Sequence, residues 1–162
     1  VEPALVAGLC ELLRDSVHGG ASVGFLAPLA RETAELYWSD VFDTLGERLR
    51  LWVAEEHGSV VGCVQLAPCT KDNGRHRAEL QKLLVHGNHR GRGIASALMA
   101  VAEEAAIRSR ISLLVLDTLQ GSAANGVYAH LGWTRAGEIP RYAASPDGEL
   151  HPTVYYYKLL DA

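Results

Sequence analysis

The sequence predicts an α/β (α+β) fold in which a central mixed β-sheet is flanked by helices. Three observations predict it. Stretches with apolar residues at helical spacing interleave with short alternating or continuously apolar runs, in the order ααβββ-αβ-αββ. That mixture of hairpin-like and helix-connected runs fits a mixed sheet with helices on its faces. The 162 residues, 48% of them apolar, suffice for one domain with a real core, so residues 1–162 are read as a single domain.

The elements follow in chain order. Residues 3–16 carry Leu5, Leu9, Leu12 and Leu13 at helical spacing. VHGGASVGF, from Val17 to Phe25, reads as a Gly/Ser-rich loop, and Pro28 precedes a second helix containing Leu36, Tyr37 and Val41. LWVAEE at 51–56 reads as a strand, and His57-Gly58 turns it into SVVGCVQLAP. Asn73-Gly74 is a hairpin signal before RAELQKLLVH. Ile94, Leu98, Val101 and Ala105 mark an amphipathic helix, and SLLVLDT at 112–118 a buried strand ending in Asp117. Residues 122–131 read as a helix. Two further strands flank the turn Pro146-Asp147-Gly148, the second alternating Val154, Tyr156 and Lys158 against Tyr155, Tyr157 and Leu159. No internal repeat, linker or low-complexity tract interrupts this order.

Composition narrows the function. A net charge of −4 argues against a general nucleic-acid binder. No apolar run approaches the ~20 residues of a membrane span, and no signal peptide is visible, although the chain starts at Val1 without an initiator Met. Cys10, Cys63 and Cys69 form no CxxC pair, and a reduced, cytoplasmic setting fits them best. His86 and His89 flank Gly87-Asn88 in a loop and give no metal-site pattern.

The most informative stretch is Arg90-Gly91-Arg92-Gly93-Ile94-Ala95. It joins the apolar run Leu83-Leu84-Val85 to the helix that begins near Ile94. A glycine-bearing turn there leaves the first helical amides without partners, beside the positive end of the helix dipole. Such a site suits phosphate, glycines allow close approach of the backbone, and Arg90 and Arg92 add charge. The alternative is a basic turn that merely caps a helix. The GxxxxGK[ST] nucleotide loop does not fit, and a GxGxxG dinucleotide loop fails because Ser96 stands where the third glycine belongs.

What fits is Arg-x-x-Gly-x-Ala on Arg90, Gly93 and Ala95, which resembles the coenzyme A pyrophosphate loop of the GNAT N-acetyltransferases. The element order is similar to theirs as well, except that their usual first strand would precede Val1. VHGGASVGF, NGRHRAELQKLLV, LLVLDT and PDGELHPT resemble segments of the tabtoxin-resistance-protein-like branch. The resemblance implies acetyl-CoA as donor, with no metal, and a small-molecule primary amine as acceptor, an antibiotic or toxin in one version. A monomer or homodimer is expected, and the charge and the lack of a long apolar run leave neither nucleic acid nor membrane as partner. Protein acetylation and a non-catalytic acetyl-CoA sensor are the competing readings. It also implies that pantetheine pairs with backbone around Leu83, Leu84 and Val85, and that diphosphate sits on amides from Arg90 to Ser96, including Gly91, Arg92, Gly93, Ile94 and Ala95.

Acetyl transfer to an amine requires an acceptor for the ammonium proton (pKa ~10, by analogy with Lys), a polarised carbonyl and a proton for the departing thiolate. Glu79 is the first candidate base, in a strand where residues 79, 81, 83 and 85 are expected to share one face; the alternative is a surface carboxylate near Arg77. Asp117 either caps the following helix or faces Glu79 as a second acid, which is what the resemblance implies. Tyr128, in AANGVYAHLGW, either packs as an aromatic or protonates the thiol. Many relatives carry Asn three residues before the Ala of an Ala-x-x-Leu-Tyr motif. This chain has Gly121 there, which leaves Asn125 as the cofactor candidate on that side. For the acceptor pocket the candidates are His18, Gly19 and Ser22 after the first helix, Gln81, and Tyr142 and His151 near the last hairpin.

Overall fold

A computed structural model describes residues 1–122 and 124–161. Ala123, in the helix read over 122–131, and Ala162 lie outside the described residues.

The observed order is α1 (Pro3–His18), α2 (Arg31–Thr44), β1 (Arg50–Glu56), β2 (Ser59–Pro68), β3 (Arg77–Val85), α3 (Ile94–Arg108), β4 (Leu113–Leu119), α4 (Ala124–His130), β5 (Thr134–Ala144) and β6 (Leu150–Leu159). This is the sequence-predicted ααβββ-αβ-αββ order. The strands form one six-stranded sheet in the order β1-β2-β3-β4-β6-β5. Among the described residues only β3 and β4 run parallel; every other neighbouring pair is antiparallel.

Two hydrophobic clusters lie on opposite faces of the sheet. On one, Leu98, Met99, Ala102 and Ala106 of α3 pack on Val64, Leu66, Leu80, Leu114 and Leu116, with Tyr128, Trp133 and Tyr156 extending the layer. On the other, Leu9, Leu12, Leu13 and Val17 of α1 and Trp38 and Val41 of α2 pack on Cys63 and Leu84. The period-2 alternation of β4 and β6 is what assigns residues to faces. Leu114, Leu116, Val154 and Tyr156 go to the α3 core, which leaves Val115, Asp117, Thr153 and Tyr155 on the α1/α2 side. Lys158, on the α3 side, pairs with Glu103 at 3.1 Å and also donates to the Leu131 carbonyl.

One turn differs from expectation. β2 and β3 do pair antiparallel, but Asn73-Gly74 is not a two-residue hairpin turn. Residues 69–76 connect the strands through a short 3-10 turn, Asp72–Gly74, closed by Cys69 N–H donating to the Arg77 carbonyl at 3.0 Å. Gly74 serves close packing there: a Cβ would stand 2.6 Å from Cys69 Sγ.

Candidate active site

The site begins with a divergence of strands. β3 and β4 are paired only from Arg77 to Glu79 against Leu113 to Val115. Beyond that point β3 carries a bulge. Gln81 opposes Gln65 and Leu84 opposes Cys63, so Lys82 and Leu83 together face one residue of β2. Lys82 takes a left-handed backbone, φ +51°. The buried Cys63 thiol donates to its carbonyl at 3.4 Å. The strands therefore part, and an opening of about 920 Å³ runs between them, from the glycine turn at one end to Asp117, Tyr142 and His151 at the other.

The bulge corrects the expectation that residues 79, 81, 83 and 85 share a face. Glu79 and Gln81 lie on the α1/α2 side, whereas Leu83 packs against the α3 core, because the extra residue shifts the alternation by one.

At the glycine end, the first turn of α3 begins at Ile94, and Gly91 and Gly93 adopt φ +76° and +78°. Cβ atoms built on either would meet nothing within 4 Å, so the space above this backbone is open. The helix is anchored beneath by Leu98 and Met99. Asp15 of α1 holds the preceding turn by accepting from Gly87 N–H at 2.9 Å. Leu83, Leu84, Val85, Arg90, Gly91, Gly93, Ile94, Ala95 and Ser96 all line the opening. Arg92 does not. Its guanidinium donates to Glu56 at 3.2 Å, a carboxylate that His89 also approaches at 3.2 Å.

At the other end, Glu79 reaches into the cleft, and partial burial together with the nearby Asp117 raises its carboxyl above the usual range. Asp117 accepts a hydrogen bond from the Thr153 hydroxyl at 2.9 Å. Tyr155 stands opposite Asp117 in the ladder, and its hydroxyl lies 2.9 Å from that of Tyr142; this hydrogen bond is the main cause of its raised pKa. Gly19, Ser22, Gln81, Tyr142 and His151 line the same opening. His18 does not. It forms the last residue of α1, not part of a loop, and its Nε2 accepts from Leu29 N–H at 3.0 Å, bracing the α1–α2 connection.

Tyr128 approaches the opening from the α3 side. It is 7% exposed and stacks edge-on near Trp133 and tilted near Tyr156, centroids 6.2 and 5.6 Å apart. Burial, then Asp117 and Tyr156, push its phenol up to about 12, so it holds its proton at neutral pH. Asn125 turns away. Its amide donates to the Leu119 carbonyl at 2.9 Å and its Oδ1 accepts from Tyr156 at 2.8 Å, which fixes the start of α4.

Sequence reasoning missed Thr153 and Lys82, both of which line the opening. Thr153 was within reach, because the β6 alternation puts it on the same face as Tyr155. Lys82 was not, since nothing in RAELQKLLVH announces the bulge that turns it to the Glu79 side.

Known proteins share this architecture. Residues 12–133 match the acetyltransferase (GNAT) family. An uncharacterised N-acetyltransferase of Azospirillum brasilense is 35% identical over 111 residues, 67% of this chain and 65% of its own length. Human N-acetyltransferase 8B is 36% identical over 114 residues, 68% of this chain and 50% of its own length. The matched stretch thus spans less than two thirds of either relative. The crystal structure of a phosphinothricin acetyltransferase from Sinorhizobium meliloti, in complex with acetyl-CoA, has the same fold, with a TM-score of 0.80 at 18% identity, covering 99% of this chain and 85% of that one.

Proposed function

The chain belongs to the acetyltransferase (GNAT) family, and on that premise we propose that it moves an acetyl group from acetyl-CoA to a primary amine of a small molecule, by direct attack in a ternary complex. Residues 1–162 act as one acetyltransferase domain, a monomer or homodimer, in a reducing, cytoplasmic setting that suits three free cysteines. Detoxification of an antibiotic or toxin is the version suggested by the likeness to the tabtoxin-resistance branch. Among the described residues no helix is long and apolar enough to cross a membrane.

The single observation that carries the reading is the parting of β3 and β4 immediately after Glu79. It joins the open glycine turn to the two carboxylates through one continuous cleft. The residues suit the co-substrate: the open backbone at Gly91 and Gly93, with the amides of Ile94, Ala95 and Ser96, would hold its diphosphate. On the edge that β4 leaves beyond Glu79, while their other edge pairs with β2, Leu83, Leu84 and Val85 would offer strand backbone to the pantetheine. Bound acetyl-CoA would supply a thioester carbonyl open to attack.

The protein's own groups then have separate tasks. Glu79 and Asp117 draw the acceptor's ammonium into the cleft. Glu79, whose affinity for a proton is raised, takes the proton directly or through water and frees the lone pair. Thr153 is a positioning residue that holds Asp117 toward the cleft. An amide of β3 near the bulge can donate to the carbonyl oxygen as charge develops on it. Tyr128 would give its phenolic proton to the departing thiolate and regain one, through water, from the nitrogen, which sheds its second proton as the amide forms. Thiol release from acetyl-CoA against a panel of small amines tests the reading, with mass spectrometry of the product. An acetylated amine is the expected result. Acetyl-CoA binding without turnover on any amine, peptide amines included, would instead mark a sensor.

A further inference from the structure

The cleft face carries a cation for which acetyl transfer itself has no use. Lys82 sits at the β3 bulge in the left-handed region, φ +51°, where a residue with a side chain is strained and glycine is not. Its ammonium stands over the Tyr37 ring, with Nζ 5.7 Å from the ring centroid, and Gln65 fixes that ring by donating to the Tyr37 hydroxyl at 3.0 Å. The head group is thus aimed, while much of its hydration is removed, and this desolvation is the main cause of its lowered pKa. Glu79 and Asp117 act on it through space, yet among the described residues no carboxylate stands within 4 Å of Nζ. Lys82, Glu79, Gln81 and Asp117 line the same opening.

A partly desolvated ammonium held over an aromatic ring, with no anion in contact, is a site for an anion. Two carboxylates beside it form a site for an ammonium. We propose that Lys82 is a specificity-determining residue that holds the carboxylate of a zwitterionic acceptor, so that the substrate class is a small amino carboxylate whose amine faces Glu79 and Asp117. A polyamine would bring a second cation against Lys82, and a plain alkylamine would leave it unpaired. The inference rests on the N-acetyltransferase reading and narrows its acceptor.

The experiment compares free amino acids with their methyl esters and with polyamines, by kcat/KM at fixed acetyl-CoA. Wild type is expected to favour an acid over its ester. Lys82→Met should reduce that preference by about 10- to 100-fold, the scale of one lost charge-assisted hydrogen bond. The loss should appear in KM for the acid, with acetyl-CoA affinity retained. Lys82→Arg should keep most of the preference. Lys82→Gly relieves the backbone, so it should fold at least as well as wild type and still lose the preference. Esters or polyamines matching the acids in wild type would overturn the proposal, as would an unchanged preference in the Met and Gly variants. No acetylation of any amine would overturn the N-acetyltransferase reading and this inference with it.

Discussion

The two ends of the cleft are built by different means. The glycine end, from Arg90 to Ser96, is backbone: positive-φ glycines, a helix start and open space above them. The carboxylate end is made of side chains from β3, β4, β5 and β6, gathered by a parting of strands and one bulged residue. In the proposed function the first kind of site would hold a group shared by many reactions, and it depends on local conformation. The second would set the proton transfer and the acceptor, and it depends on register across distant strands.

The sharpest way to break this contrast is to damage the backbone end alone. Gly93→Glu puts a side chain and a negative charge into the open space, in a conformation that costs a residue with a Cβ roughly 1–2 kcal/mol. Acetyl-CoA binding, followed by calorimetry, should fall below detection while circular dichroism stays that of a folded protein. Unchanged affinity would move the diphosphate elsewhere.

The next effect separates chemistry from binding. Tyr128→Phe keeps the ring stacked near Trp133 and Tyr156 and removes only the hydroxyl. Turnover should drop about tenfold to a thousandfold, with acetyl-CoA affinity and melting temperature nearly unchanged. If affinity and turnover fall together, Tyr128 is a packing residue; if neither changes, water protonates the thiolate.

A control lies on the α3 face, away from the cleft. Lys158→Met leaves the half-buried Glu103 carboxylate without its ion pair. Chemical denaturation should show a loss of about 1–3 kcal/mol, less than the cost for a fully buried pair. The KM values for both substrates should stay put.

This same contrast explains what could be read in the sequence. Leu9, Leu12 and Leu13, or Leu114 and Leu116, announce their elements because helix and strand periods are local, and the whole element order followed from them. The glycine turn was legible for the same reason. Glu79 and Asp117 could be named as candidates, but their shared face depends on β3–β4 pairing that stops after Glu79 and Val115. The bulge at Lys82 is a tertiary solution with no local signature, so the alternation expected through residue 85 failed beyond Gln81. His18, Arg92 and Asn125 have the right chemistry at plausible positions. Only the fold shows that Leu29, Glu56, and Leu119 with Tyr156 already engage them.

The smallest effect sharpens the carboxylate end. Glu79 binds its proton more tightly in the folded protein than as an ordinary carboxylate. The folded state therefore holds more protons than the unfolded one between the two pKa values, and stability rises as pH falls through that window. Above it, ionised Glu79 is a cost, so Glu79→Gln should raise the melting temperature slightly at pH 7 and not at pH 4. A lower melting temperature at pH 7 would mean that the carboxylate supports the fold.

The same variant gives the most direct test of Glu79 as the base. In wild type, kcat/KM for the amine should fall on the acid side with a limb above the usual carboxylate range, as Glu79 takes up its proton. In Glu79→Gln that limb should vanish, the rate near neutrality should drop about 100-fold or more, and it should partly recover toward pH ~10, where free amine becomes abundant. A pH–rate profile that overlays wild type at every pH would contradict the assignment and remove Glu79 from the chemistry.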